Sequence, residues 1–205
     1  MTKNLFKRVI TSFILLTILL IVIFNNDIIF ILSLSTLSVL VCFEANSIFK
    51  KIINKEKFKI HKKNKNKKEF YNKIIFLNIT TFLYIFLIFF YLSYQIYKIA
   101  GPIFFLLIIS ACFFSDIGGY VIGKLIGGKK LTKISPNKTL SGSAGSFIFS
   151  LLPIIIYSVI YNDQNLYLAT NVIFCLLISL STQVGDIFIS FLKRKASLKD
   201  TGNIL

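Results

Sequence analysis

Uncharged apolar runs recur along the chain, separated by short polar or basic stretches. Residues 9–24 and 28–43 each hold 16 residues without a charge, and residues 74–97 hold 24. Residues 102–122 carry a single acid, Asp116; residues 145–161 carry none; residues 166–192 carry only Asp186. A helix needs roughly 20 apolar residues to cross a bilayer, with about 17–25 as the usual range. The pattern predicts an all-α, polytopic integral membrane bundle of about six transmembrane helices. The first two runs are slightly short. They cross with little tilt, or they form a re-entrant hairpin around the turn sequence Asn25-Asn26-Asp27. A cleavable signal peptide is the rival reading of the N-terminus, since Lys7-Arg8 precedes an apolar run. No small-x-small cleavage site follows, however, and a second apolar run comes at once, so a retained helix is preferred.

Composition sharpens this. The chain has 205 residues, 55% of them hydrophobic, with mean hydropathy +0.76, which excludes a disordered tail and an ordinary soluble domain. It also carries a formal charge of +16. Such a chain is either a nucleic-acid binder with a large core or a membrane protein with basic loops. The placement of the charges decides. With six spans, 23 of the 24 basic residues fall in segments on one side of the membrane, and only Lys98 lies opposite. The positive-inside rule puts that side, and both termini, in the cytoplasm, and the inner (plasma) membrane is the expected location. Residues 50–73, with 11 Lys and two Glu, read as a solvated basic loop near anionic headgroups. No nucleic acid is expected, because Lys and Asn dominate there without a recognition motif. His61 reads as a surface residue of this loop. Cys42, Cys112 and Cys175 fall in apolar spans without metal-ligand spacing.

Acids inside spans are costly and mark functional sites by default. Asp116 and Asp186 each lie six residues before the cytoplasmic end of their run, so each sits about 9 Å below that surface. Two carboxylates at one depth, facing a basic loop, suggest a metal or phosphate site; the alternative is two unrelated polar residues paired to neighbouring Lys or Tyr. Asp116, Tyr120 and Lys124 share one helical face, and Gly119, Gly123 and Gly127 the adjacent one, where small residues permit close helix packing. Residues 131–145 combine lysines, hydroxyls and glycines without an acid, which suits a polyphosphate. Ser179, Gln183, Asp186, Ser190 and Lys193/Arg194 form a polar stripe that belongs in the bundle interior or a water-filled cavity. Lys199-Asp200 places an acid among basic residues at the membrane edge, where a divalent cation could bind beside phosphates.

These residues resemble the phosphatidate cytidylyltransferases. The resemblance rests on Ser115-Asp116, Tyr120, Gly123 and Gly127, then Ile134-Ser135-Pro136-Asn137-Lys138-Thr139. It continues in Gln183-Val184-Gly185-Asp186, Ser190, Lys193-Arg194 and Lys199-Asp200-Thr201-Gly202, and covers Ile108 to Leu205. Two departures stand out. Leu140 and Ser141 occupy positions where the family usually has an aromatic residue and Glu. The family signature also runs on beyond the position of Leu205, so a family member cut short before the end of the signature is expected.

The resemblance implies transfer of CMP from CTP to phosphatidate, giving CDP-diacylglycerol and pyrophosphate with Mg²⁺. It implies that Asp186 and Asp200 hold the metal, and that Asp116 holds or orients the site. Ser135, Lys138 and Thr139 would bind the triphosphate, and Lys193, Arg194 and Lys199 the lipid phosphate or CTP. The expected partners are CTP, phosphatidate and membrane lipid, with a homodimer left open. Residues 1–205 are then one membrane domain: an N-terminal helical hairpin (1–49), a basic cytoplasmic loop (50–73) and a catalytic-type helical region (74–205). The alternatives are a CTP-dependent kinase of a polyprenol or phytol-type alcohol, an inactive membrane remnant, and, more weakly, a transporter.

Overall fold

A computed structural model describes residues 2–60, 67–132, 135, 138–161 and 169–198. Among these the fold is helical: α1 (Thr2–Phe24), α2 (Asp27–Ile60), α3 (Lys67–Leu83), a π-helical turn run (Tyr84–Tyr91), α4 (Leu92–Ile126), α5 (Leu140–Ser150), α6 (Leu152–Tyr161) and α7 (Ala169–Lys195). Among the described residues four stretches are long and apolar enough to cross a membrane: Asp27–Ile52, Ile75–Ile126, Leu140–Ile160 and Ala169–Lys195. A shorter apolar helix covers Ile10–Phe24.

Six apolar runs thus meet five apolar helical stretches. The difference lies at Gly101. Ile75–Ile126 spans 52 residues, roughly 78 Å of helix, where one crossing needs roughly 30 Å. Gly101 interrupts it with φ 84° and ψ 168°, a backbone region open essentially to glycine. Pro102, next in line, lacks an N–H and suits the first turn of the following helix. Each side of the break is long enough for a crossing. A second interruption follows Ser150. Pro153 cannot donate to Phe149, so the ladder tightens to Leu151 N–H→Ile148 O (3.3 Å) before α6 begins.

The surface is apolar and the interior partly polar. Phe43, Phe76, Leu125, Val159 and Ile160 are exposed, whereas Ser38, Ser115, Ser146, Ser150, Ser158, Ser179 and Gln183 are buried. Water would not tolerate so much contiguous apolar surface; lipid is its natural solvent. Several buried hydroxyls are satisfied within their own helix: Ser38 donates to Ser35 O (2.8 Å), Ser150 to Phe147 O (2.7 Å) and Ser158 to Ile155 O (2.8 Å). The chain is a helical membrane protein.

The chain divides into two compact units, one of residues 1–46 with 70–105, the other of residues 47–69 with 106–205. In the first, Asn25 and Asn26 make the expected turn, and α2 opens with Asp27 in its first turn. Phe30 stacks on Tyr97 with centroids 3.8 Å apart, and Phe105 meets Phe30 edge-on at 5.1 Å. The Tyr97 hydroxyl donates to Ile23 O at 3.0 Å, so the buried phenol is paired.

The expected basic loop is largely helical among the described residues: residues 50–60 continue α2, and residues 67–73 open α3. The reason is an apolar face within the basic stretch. Ile48 and Ile52, one turn apart, pack with Ala196, and Phe49, Leu192 and Leu198 surround them. Leu198 reaches this cluster through a helix-ending turn. Ser197 takes φ 57°, Leu198 N–H bonds Lys193 O (2.9 Å), and Ser197 N–H bonds Arg194 O (3.1 Å).

Candidate active site

The site lies in the second unit, where α4, α5 and α7 bring together residues far apart in sequence. Small residues allow the approach. A Cβ at Gly142 would lie 2.7 Å from Gly119 O, and one at Gly145 2.7 Å from Gly118 O. Backbone therefore touches backbone across α4 and α5. Gly119 and Gly123 pack in this way, as their shared face predicts. Gly127 does not; it ends α4 with φ 65° and open space around it. Gly118, absent from the sequence pattern, packs instead.

The segment from Lys129 to Leu140 is pinched at its base. Leu140 N–H donates to Lys129 O (3.0 Å), and Leu131 N–H to Lys138 O (2.7 Å). Ser141 Oγ donates to Gly127 O. Thr139 caps α5: its extended backbone precedes the helix, and its Oγ1 accepts from Gly142 N–H at 3.1 Å. The helix thus begins at Leu140, and the Ser-Gly-Ser stretch at 141–143, expected as a flexible phosphate loop, forms its first turn. Thr139 followed by a periodic apolar run was the available start signal.

Lys138, just before this cap, reaches α7. Its Nζ lies 2.6 Å from Asp186 Oδ2. Asp116, Lys138 and Asp186 line one cavity of about 220 Å³, with Gly119, Tyr120 and Leu131 from the α4 side and Thr139, Gly142, Ser143 and Ser146 from α5. Gln183 lies in the wall one turn before Asp186. Lys124 stands 5.7 Å from the Tyr120 ring centroid, consistent with their shared face.

Other expected site residues fall elsewhere. Ser135 is not in the cavity lining; its carbonyl accepts Lys138 N–H (3.2 Å), and its own N–H bonds Thr132 Oγ1 (3.1 Å), so it shapes the turn that carries Lys138. Lys193 and Arg194 occupy the last turn of α7, about 11 Å along the axis from Asp186. Lys199 and Asp200 lie outside the described residues. Among the described residues no three His, Cys, Asp or Glu side chains gather to hold a metal. Two carboxylates do share the cavity. Mg²⁺ usually keeps several waters and takes one or two carboxylates beside substrate phosphates, so this pair fits its requirements.

The sequence pattern of the cytidylyltransferase family matches residues 51–205. The chain belongs to this family. The match starts well before Ile108, where the motifs alone gave out. A phosphatidate cytidylyltransferase of Staphylococcus saprophyticus is 40% identical over 93 residues, covering 44% of this chain and 35% of that protein. That of Bacillus subtilis is 39% identical over 92 residues, covering 44% and 34%. That of Helicobacter pylori (strain J99) is 33% identical over 121 residues, covering 57% and 43%. In each of these alignments the chain accounts for less than half of the curated relative's length.

Proposed function

We propose that this family member transfers CMP from CTP to phosphatidate, giving CDP-diacylglycerol and pyrophosphate. A phosphatidate oxygen attacks the α-phosphorus of CTP. The bond from that phosphorus to the oxygen bridging to the β-phosphorus breaks, and pyrophosphate leaves. The observation that carries the reading is the convergence of Asp116, Lys138 and Asp186 on one cavity. Both substrates are anionic, so this chemistry needs positioning and charge neutralisation more than covalent help. Lys138 offers an ammonium to the triphosphate. The first turn of α5, capped by Thr139, offers the positive end of a helix beside the cavity. Asp186 and Asp116 would hold Mg²⁺, which when bound neutralises phosphate oxygens. Lys193 and Arg194, in the last turn of α7 and outside the cavity lining, suit the lipid headgroup, and Lys199 is assigned with them from the sequence alone.

Purified protein in detergent, given CTP, phosphatidate and Mg²⁺, is expected to form CDP-diacylglycerol and pyrophosphate in equal amounts. Formation of CDP with a phosphorylated lipid alcohol would instead mark a kinase. The charge distribution further supports a multi-pass protein of the inner (plasma) membrane with both termini cytoplasmic. A single cysteine introduced by Lys98→Cys is then expected to react with an impermeant maleimide on intact cells, and one from Lys129→Cys only after lysis. The reverse labelling would overturn this orientation.

A further inference from the structure

Behind the charged groups, a chain of hydrogen bonds runs through the three helices. Gln183, only 9% exposed, accepts from Ser143 Oγ through Oε1 and donates from Nε2 to Ser179 Oγ at 3.2 Å. Ser179 is fully buried and lies 2.8 Å from the equally buried Ser115 Oγ. Each polar residue is near a charged one. Ser115 precedes Asp116. Ser143 sits in the first turn of α5, just after Lys138 and its cap. Gln183 lies about one turn before Asp186.

We infer that Gln183 is a positioning residue for the proposed transfer reaction, its amide fixing the rotation of α7 so that Asp186 meets Lys138 beside Asp116. The inference rests on the transfer reading for its kinetic part, and on geometry alone for the rest. Adjacent positions on a helix are about 100° apart, so a modest rotation of α7 would carry Asp186 away from Lys138. Apolar contacts resist such rotation weakly, because one apolar side chain replaces another at little cost. A hydrogen-bonded amide resists it strongly. Turning α7 would break the two bonds that cross between helices, Ser143 to Gln183 and Ser115 to Ser179, and leave the fully buried Ser115 hydroxyl without its α7 partner; unpaired buried polar groups are expensive. The amide is the suitable group because it accepts from one hydroxyl and donates to another. Met matches its length and does neither. An ionised Glu accepts from Ser143 and cannot donate to Ser179.

Three measurements test this. First, Gln183→Met and Gln183→Glu are expected to lower kcat about 10–100-fold, with KM for CTP changed less than about 3-fold, since small misplacements of reacting groups carry penalties of this order. Second, Gln183→Met combined with Ser143→Ala removes the hydroxyl that has lost its acceptor. It is expected to recover the thermal midpoint and not kcat; recovery of both would make the role purely structural and overturn the inference. Third, spin labels are placed through Lys138→Cys and Asp186→Cys in protein whose three native cysteines are replaced by Ala. Both charged side chains are then gone, and the distance reports helix placement alone. A narrow distribution with Gln183 present, broadened or displaced by Gln183→Met, supports positioning; an unchanged distribution overturns it. If the parent protein transfers no CMP, the proposed function fails, while the spin-label distance still decides the role of Gln183.

Discussion

Asp186→Asn is expected to lower CDP-diacylglycerol formation by about 10²–10³-fold, the range seen when one preorganised electrostatic group is removed from an active site, while the protein stays folded. Asn keeps the shape of the side chain and an oxygen that can accept from Lys138. It removes the charge, and with it one of the two carboxylates on the cavity. The fold loses little. The Lys138 and Asp186 side chains are 29% and 55% exposed, and a pair so open to solvent contributes less than about 1 kcal/mol. Lys138→Met is expected to spare the fold for the same reason. Its kinetic effect differs: loss of the ammonium weakens triphosphate binding, so KM for CTP rises. Steady-state kinetics beside thermal unfolding in detergent separates these effects. Full activity in Asp186→Asn would remove this carboxylate from the mechanism. A fall in activity matched by an equal fall in the folded fraction would make the ion pair structural.

Sequence spacing located both carboxylates because the membrane makes them conspicuous. An acid in an otherwise apolar helix has few uses, so Asp116 and Asp186 stand out without any structure, and their equal depth suggests a shared site. The polar stripe on α7 was legible for the same reason, and Ser179 and Gln183 indeed face inward. The partner of Asp186 was not legible. Lys138 is one of five lysines between residues 123 and 144, and only the turn at Ser135, the pinch at Lys129–Leu140 and the cap at Thr139 determine which one reaches α7.

The start of α5 is hidden in the sequence because hydroxyls and glycines carry two messages. In water, Ser-Gly-Ser-Ala-Gly at 141–145 reads as a flexible connector. In a membrane, the same small residues are how helices approach closely. The helix in the basic segment after Lys50 is hidden for a different reason. Its lysines dominate the composition, and the Ile48/Ile52 pair that anchors it is only two residues wide. Such a short apolar face becomes visible as packing only once Ala196 and Leu198 are found against it. The break at Gly101 was legible as a loop; that its two flanks remain helical up to the glycine was not.

Gly142→Ala is expected to destabilise the protein by about 1–3 kcal/mol, the usual penalty for overpacking a tight contact, and Gly142→Leu by more. The added Cβ would stand 2.7 Å from Gly119 O, 3.1 Å from Thr139 Oγ1 and 3.2 Å from Gly123 Cα. Two of these three neighbours are backbone, which has no rotamer to change, so α4 and α5 must part. Gly185 provides the control. It lies on α7 directly before Asp186, a Cβ there meets nothing within 4 Å, and it has no positive φ. Gly185→Ala is therefore expected to be neutral, or stabilising by up to about 1 kcal/mol through helix propensity. Thermal midpoints in one detergent compare the two directly; equal midpoints would show that the glycine contact does not hold α4 against α5. The contact also bears on function. Gly119 and Gly142 both line the cavity, so parting the helices moves Asp116 away from the turn that carries Lys138. In folded Gly142→Ala protein, activity is expected to fall further than the loss of stability alone would produce.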